Sequence, residues 1–90
     1  MLKQDIHLLG ALSMSRERAV QFINLTSTFT SGIYLESDNF TVNAKSMLGI
    51  LAISKLSKRD LTLVADGPDE AEAVEAVLRF FAQGEAVEAE

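Results

Sequence analysis

Residues 32–52 carry the clearest structural pattern in the chain and read GIYLESDNFTVNAKSMLGILA. Residues 33–36 and 40–43 are strand formers, and Asp38-Asn39 between them tolerates the positive φ angles of a tight turn. Residues 32–43 therefore predict a β-hairpin. Residues 45–52 then predict a short helix capped by Ser46. Because this helix is apolar on almost all sides, we expect part of its surface to be buried against the rest of the domain or to be exposed as a binding surface for a partner.

The segment before the hairpin predicts one strand and one helix. Residues 4–9 alternate well enough for a strand, with Ile6 and Leu8 on one face and His7 on the other. Gly10 is expected to end that strand. Residues 16–27 repeat apolar side chains at helical spacing, which predicts a helix with one buried stripe.

The segment after residue 52 predicts a fourth strand and a long helix. Residues 61–65 are rich in β-forming side chains. Gly67-Pro68 and the acids that follow them favour a helix start, and Gly84 is expected to end that helix. Its predicted buried stripe comprises Ala71, Val74, Val77, Leu78 and Phe81.

The resulting order β-α-β-β-α-β-α predicts an α+β fold, in which a four-stranded antiparallel sheet carries three helices on one face. A chain of 90 residues has room for a single core. We assign that domain to residues 1–84. Residues 85–90 form a short acidic C-terminal tail that is expected to fray.

Charge and composition exclude several classes of function. The net charge is −5, and residues 66–90 hold eight acidic residues against Arg79 alone. An acidic protein is poorly suited to general nucleic-acid binding, which needs a cationic surface. The chain has no cysteine, no secretory signal pattern and no apolar run long enough for a membrane span. We therefore expect a cytoplasmic protein without metal, cofactor, nucleic acid or membrane as a partner.

Residues 42–49, VNAKSMLG, resemble the segment around the regulatory serine of HPr, the phosphocarrier of the bacterial sugar phosphotransferase system. Residues 33–36 and 66–71 fall where that family has equivalent segments. The resemblance implies an open-faced β-sandwich. It is strongest toward the catabolite-repression (Crh-like) branch of the family, which lacks the carrier histidine.

The family resemblance also locates a missing catalytic group. In HPr proteins the first helix begins at the carrier histidine, in a Gly-x-His-Ala-Arg-Pro context. Here Ser15 occupies the histidine position, Glu17 the arginine position and Arg18 the proline position. A serine hydroxyl is a weak nucleophile without an activating base, so the simplest role of Ser15 is a helix N-cap. His7 is predicted on the outer sheet face, where it is a solvated residue and not a displaced carrier.

Ser46 is the predicted regulatory residue. The resemblance implies phosphorylation there by an HPr kinase/phosphorylase, and a phosphate at a helix start would meet free backbone N–H groups. A catabolite-control transcription regulator is the second implied partner. The predicted partner-binding residues are Arg16, Glu17, Arg18, Lys45, Met47, Leu48 and Leu51.

Three functional readings stay open on the sequence alone. The first is a non-catalytic regulatory HPr-like protein switched at Ser46. The second is a phosphocarrier, which Ser15 in place of histidine disfavours. The third is a diverged scaffold module with an unrelated partner. No acid/base pair or activated nucleophile points to an enzyme, and the chain is expected to be a monomer or a weak homodimer.

Overall fold

The computed structural model describes residues 1–8, 15–38, 40–54, 60–84 and 87–89. Its elements are β1 (Leu2–Leu8), α1 (Arg16–Thr26), β2 (Gly32–Glu36), β3 (Thr41–Asn43), α2 (Met47–Ser54), β4 (Asp60–Asp66), α3 (Glu70–Gly84) and β5 (Val87–Ala89). All strand pairs are antiparallel, in the order β3-β2-β4-β1-β5. The four predicted strands, the three helices and the α+β fold class are confirmed. None of the helices in these ranges is both long and apolar enough to cross a membrane.

The core lies between the sheet and the helices. On the central strands, Ile6, Leu35 and Leu63 are fully buried. Leu35 lies opposite Leu63, and Ile6 lies opposite Leu61, which is also buried. From the helix layer, Phe22 stacks on Phe81 with 5.5 Å between ring centroids. Ring pairs at this separation contribute beyond the area that they bury, so this contact fastens α1 to α3.

The predicted stripe of α3 is wrong at its start. Ala71 is exposed, whereas Ala73, Val77, Phe80 and Phe81 are buried, with Val74 and Leu78 packed against the core. The physical reason lies at the N-terminus of α3. The Asp69 carboxylate accepts hydrogen bonds from the backbone N–H groups of Thr30 and Ser31, both at 2.9 Å. This anchor fixes the rotation of the helix, and the rotation turns Ala71 outward.

The C-terminal tail is also different from its prediction. Val87–Ala89 does not fray but forms β5, which pairs with residues 6–8 of β1 and makes the sheet five-stranded. The short sequence Val-Glu-Ala alternates apolar and polar residues, and β1 offers unpaired backbone groups on that side. The assignment of residues 1–84 as the domain stays a prediction. The predicted ends of the first strand, at Leu9 and Gly10, and Asn39 of the hairpin turn lie outside the described residues.

Candidate functional site

Ser15 caps α1, as predicted. Its backbone is extended, with φ −63° and ψ 162°, and its Oγ accepts a hydrogen bond from the backbone N–H of Arg18 at 3.1 Å. The Ser15 carbonyl accepts the first helical bond, from Ala19 N at 2.9 Å. These contacts satisfy backbone groups that a helix end otherwise leaves unpaired. The Ser15 hydroxyl is therefore part of the hydrogen bonding that starts the helix.

Arg18 joins the start of α1 to the last turns of α3. Its Nη2 donates to the Phe80 carbonyl oxygen at 3.0 Å, and its guanidinium carbon lies 3.8 Å from the centre of the Phe80 ring. Its Nη1 also donates to Gln21 Oε1 at 3.4 Å. A cation near a helix C-terminus interacts favourably with the helix dipole. The guanidinium is thus held by α3, and the use of Arg18 by a partner stays a prediction.

Ser46 stands at the junction between β3 and α2. Its Oγ accepts from the backbone N–H of Gly49 at 3.3 Å, and its carbonyl accepts from Ile50 N at 3.0 Å. This confirms the predicted cap. A Cβ on Gly49 would lie 3.1 Å from the Cβ of Val42, so glycine lets the first turn of α2 approach the hairpin closely. The half-buried Ser46 hydroxyl is therefore fixed beside the N-terminal end of α2.

The surface beside Ser46 is apolar. Leu48 is 82% exposed, and Met47 and Leu51 are half-buried against the core. On α1, the helix that contacts α2, Val20 is 41% exposed. We call Val20, Met47, Leu48 and Leu51 the α1–α2 patch. Val20 was not among the predicted partner-binding residues. The signal that could have identified it is that Val20 is apolar but lies outside the stripe of Ala19, Phe22, Ile23 and Thr26.

The charged side chains predicted to lie around Ser46 differ in whether the fold already gives them a partner. Lys45 Nζ donates to the Phe29 carbonyl oxygen at 2.8 Å, so its ammonium group holds the loop that follows α1. Arg16 and Glu17 are exposed in the first turn of α1. The structure therefore leaves one positive and one negative side chain exposed at the helix start, while Lys45 and Arg18 have partners within the fold.

His7 lies on the outer face of the sheet, as predicted. It is exposed, and its Nδ1 contacts Asp60 Oδ1 across the β1–β4 pair. Next along that face, Thr62 Oγ1 donates to Asp5 Oδ1 at 3.1 Å. A shallow cavity of about 340 Å³ opens there between strand ends. Within the described parts of the chain, no group of three or more acidic, histidine or cysteine side chains could hold a metal ion.

The acidic residues around the start of α3 have a structural role. Besides the two backbone bonds to Asp69, the Ser31 hydroxyl donates to the same carboxylate. This hydroxyl, with the N–H groups of Thr30 and Ser31, lowers the pKa of Asp69 to about 2. Glu70 accepts from Gly67 N at 3.1 Å, and this bond is the largest cause of its lowered pKa. Asp69 and Glu70, two of the acids that predicted a helix start here, therefore hold that start by hydrogen bonds.

Comparison with known proteins places this geometry in a family. Residues 6–83 match the family model "PTS HPr component phosphorylation site". The chain is 32% identical over 80 residues to the HPr-like protein Crh of Halalkalibacterium halodurans, covering 89% of this chain and 95% of that one. It is 33% identical over 81 residues to the phosphocarrier protein HPr of Treponema pallidum, covering 90% and 92%.

A solved structure agrees with both relatives. The crystal structure of HPr-C-His from Thermoanaerobacter tengcongensis superposes with a TM-score of 0.80 at 31% identity, over 92% of this chain and 93% of that one. The match extends over both helix starts that carry Ser15 and Ser46. With this fold and this length of match, the chain belongs to the HPr family of phosphocarrier and Crh-like proteins.

Proposed function

We propose that this chain is a non-catalytic regulatory protein of the bacterial phosphotransferase system or of carbon catabolite control, switched by phosphorylation of Ser46. It would act in the cytoplasm by binding other proteins through the α1–α2 patch. The observation that carries the proposal is the contrast between two serines at helix starts. Ser15 accepts a backbone N–H as the cap of α1, whereas Ser46 adjoins an exposed apolar surface.

Modification of Ser46 is compatible with the fold. The Oγ already faces the backbone N–H of Gly49 at the start of α2, and a phosphate oxygen can accept the same kind of bond. The negative charge would lie at the positive end of the helix dipole. Its position next to Leu48 would also change the electrostatic character of the patch that a partner meets. One modification can thus alter binding without unfolding the domain.

A carrier role has less support from the same geometry. A carrier must accept a phosphoryl group and release it readily, and a serine phosphoester is much less reactive than a phosphohistidine. Among the described residues, the hydrogen bond of the Ser15 hydroxyl is the one that it accepts from the Arg18 backbone N–H. Of the two arginines at this helix start, Arg18 is bound to the Phe80 carbonyl and Arg16 is followed by the negative Glu17. These contacts favour structure over phosphotransfer at the start of α1.

Two phosphate donors test the proposal in one experiment. The full chain is incubated with an HPr kinase and ATP, and separately with enzyme I and phosphoenolpyruvate, and its intact mass is measured. We expect one phosphate from the kinase and none from enzyme I. The expected kinase product is absent in Ser46→Ala and unchanged in Ser15→Ala, which is the matched control at the other helix cap.

The other outcomes separate the alternatives. Phosphate transfer from enzyme I to Ser15 would establish a carrier and overturn the regulatory proposal. Failure of both donors, with the chain shown to be folded, would remove the switch and leave a scaffold module. For the partners, binding of the kinase and of a catabolite-control regulator is compared with and without the Ser46 phosphate, since a switch requires the two affinities to differ.

A further inference from the structure

The two hydrogen-bonding edges of β1 differ in how much of their length is paired. On one side β1 pairs with β4 through residues 2–7. On the other side, in the described parts of the chain, it pairs only with β5 and only through residues 6–8. The backbone of residues 2–5 on that side therefore continues the same edge without a described strand beside it. An open edge of this kind is a template for another strand.

The exposed sequence of this edge is complementary to itself. Two antiparallel copies of β1, related by a two-fold axis through Gln4, would place Lys3 of each copy opposite Asp5 of the other. Directly opposite residues lie on one face, so both oppositely charged pairs would form on the outer face of the joined sheet. Lys3 and Asp5 are exposed, and Leu2, which is 39% exposed, would meet Ile6 on the inner face.

The neighbouring registers are less favourable. Moving the axis to Lys3 puts the two lysines opposite each other, and moving it to Asp5 puts the two aspartates opposite each other. Like charges in directly opposite positions destabilise a strand pair. A shift by one residue would pair an outward side chain with an inward one, which a two-fold antiparallel pair does not allow. The pairing of opposite charges and the alternation of side chains between the two sheet faces therefore both favour the register centred on Gln4.

β5 occupies part of the space that this arrangement needs. With the axis at Gln4, Leu2 of one copy lies opposite Ile6 of the other. In the monomer Ala89 already pairs with Ile6 on that edge. The chain's own C-terminal strand and a second copy cannot both occupy the position. The two are competitors for one edge.

We propose that β5 covers the free edge of β1 within the same chain and so blocks pairing with other strands. When β5 is released, a second copy of the chain docks on that edge in the register that places Lys3 opposite Asp5. The pairing joins two sheets into one, with the helices of both copies on the same side. The α1–α2 patch belongs to the helix layer and is left uncovered. The inference is independent of Ser46 and of the proposed function.

The test weakens β5 in the full-length chain. Val87→Pro/Glu88→Pro removes two successive backbone N–H donors. Because successive N–H groups of a strand point to opposite edges, one of the two removed donors is the one that points toward β1. Val87→Thr/Glu88→Thr is the matched control, because threonine keeps both donors and suits a strand. Oligomeric state is measured by sedimentation velocity over a range of concentrations, with circular dichroism to confirm folding. Should the double proline unfold the domain, Ala89→Pro repeats the test at the Ile6 pair alone.

We expect the natural chain and the threonine control to stay monomeric and the proline variant to dimerise. In the proline background, Lys3→Asp or Asp5→Lys should weaken dimerisation by about tenfold or more, because two attractive pairs become repulsive. The double change Lys3→Asp/Asp5→Lys should restore it. A monomeric proline variant, a natural chain that already dimerises equally well, or a dimer indifferent to these charges would each overturn the proposal.

Discussion

Replacing Arg18 with alanine is expected to destabilise the domain although the side chain lies near the surface. The change removes the Nη2 bond to the Phe80 carbonyl and the stacking of the guanidinium over the Phe80 ring at 3.8 Å. A partly exposed cation–π contact contributes about 0.5–1 kcal/mol. A hydrogen bond from a charged donor contributes up to about 1.5 kcal/mol when solvent weakens it. We therefore expect a loss of about 1–2 kcal/mol.

For a domain of this size that loss corresponds to a decrease in the melting temperature of roughly 5–15 °C. Thermal unfolding followed by circular dichroism, at low and high salt, measures it directly. Arg16→Ala is the matched control, because Arg16 is exposed on the same first turn and has the same charge. Its expected effect is within about 0.5 kcal/mol.

A second variant separates the two contacts. Phe80→Leu removes the aromatic ring and leaves the backbone carbonyl in place. The double-mutant cycle of Arg18→Ala and Phe80→Leu should therefore give a coupling of about 0.5–1 kcal/mol for the ring contact alone. If Arg18→Ala melts at the temperature of Arg16→Ala, the guanidinium does not fasten α1 to α3 and the reasoning fails.

Four further changes have defined outcomes. Gly67→Ala should cost about 2 kcal/mol or more in urea unfolding, because φ is 153° and the new Cβ would lie 2.6 Å from the Cα of Ser31; a wild-type midpoint would contradict that geometry. The pKa of Asp69 is about 2 against an ordinary 3.8, so its contribution to stability is complete above pH 4 and is lost as pH falls toward 2. Over that pH range, the urea midpoint of Asp69→Asn should decrease less than that of the natural chain. An equal decrease would show that the Asp69 carboxylate does not anchor the start of α3. Ser15→Ala should lower stability by about 1 kcal/mol and Ser15→Asp should not, since aspartate caps as well as serine; equal melting of the two would exclude the cap. Leu48→Ala should leave stability within about 0.5 kcal/mol, because the side chain is 82% exposed, yet weaken binding of an HPr kinase by about tenfold or more; unchanged binding would exclude Leu48 from the docking surface.

The features that could be predicted from sequence depend on local signals. Serine before a helix, a two-strand pattern around an Asp-Asn turn and glycine at a helix end each act through hydrogen bonds or backbone angles within a few residues. The caps by Ser15 and Ser46 and the order of the elements from β1 to α3 are therefore as expected.

The features that could not be predicted depend on distant contacts. The rotation of α3 follows from Asp69 binding Ser31, 38 residues earlier, and Ala73 replaces Ala71 in the buried stripe for that reason. Arg18 reaches Phe80 across 62 positions, so nothing near Arg18 in the sequence indicated that its charge was in use. β5 exists because β1 has an open edge, which is a property of the assembled sheet and not of residues 87–89.

Under the proposed function, the two helix starts differ in what a phosphate would require of the surrounding structure. At α1, Arg18 is bound to the Phe80 carbonyl, and the exposed Arg16 is followed by the negative Glu17, so restoring phosphotransfer there would require a new nucleophile and removal of the Glu17 charge. At α2, the Ser46 cap uses only the backbone of its own helix, and Lys45 is bound to the Phe29 carbonyl. A phosphate on Ser46 would therefore displace no tertiary contact of that hydroxyl. Replacing Ser15 with histidine alone should consequently fail to give a carrier, whereas the proposed switch at Ser46 requires no further change.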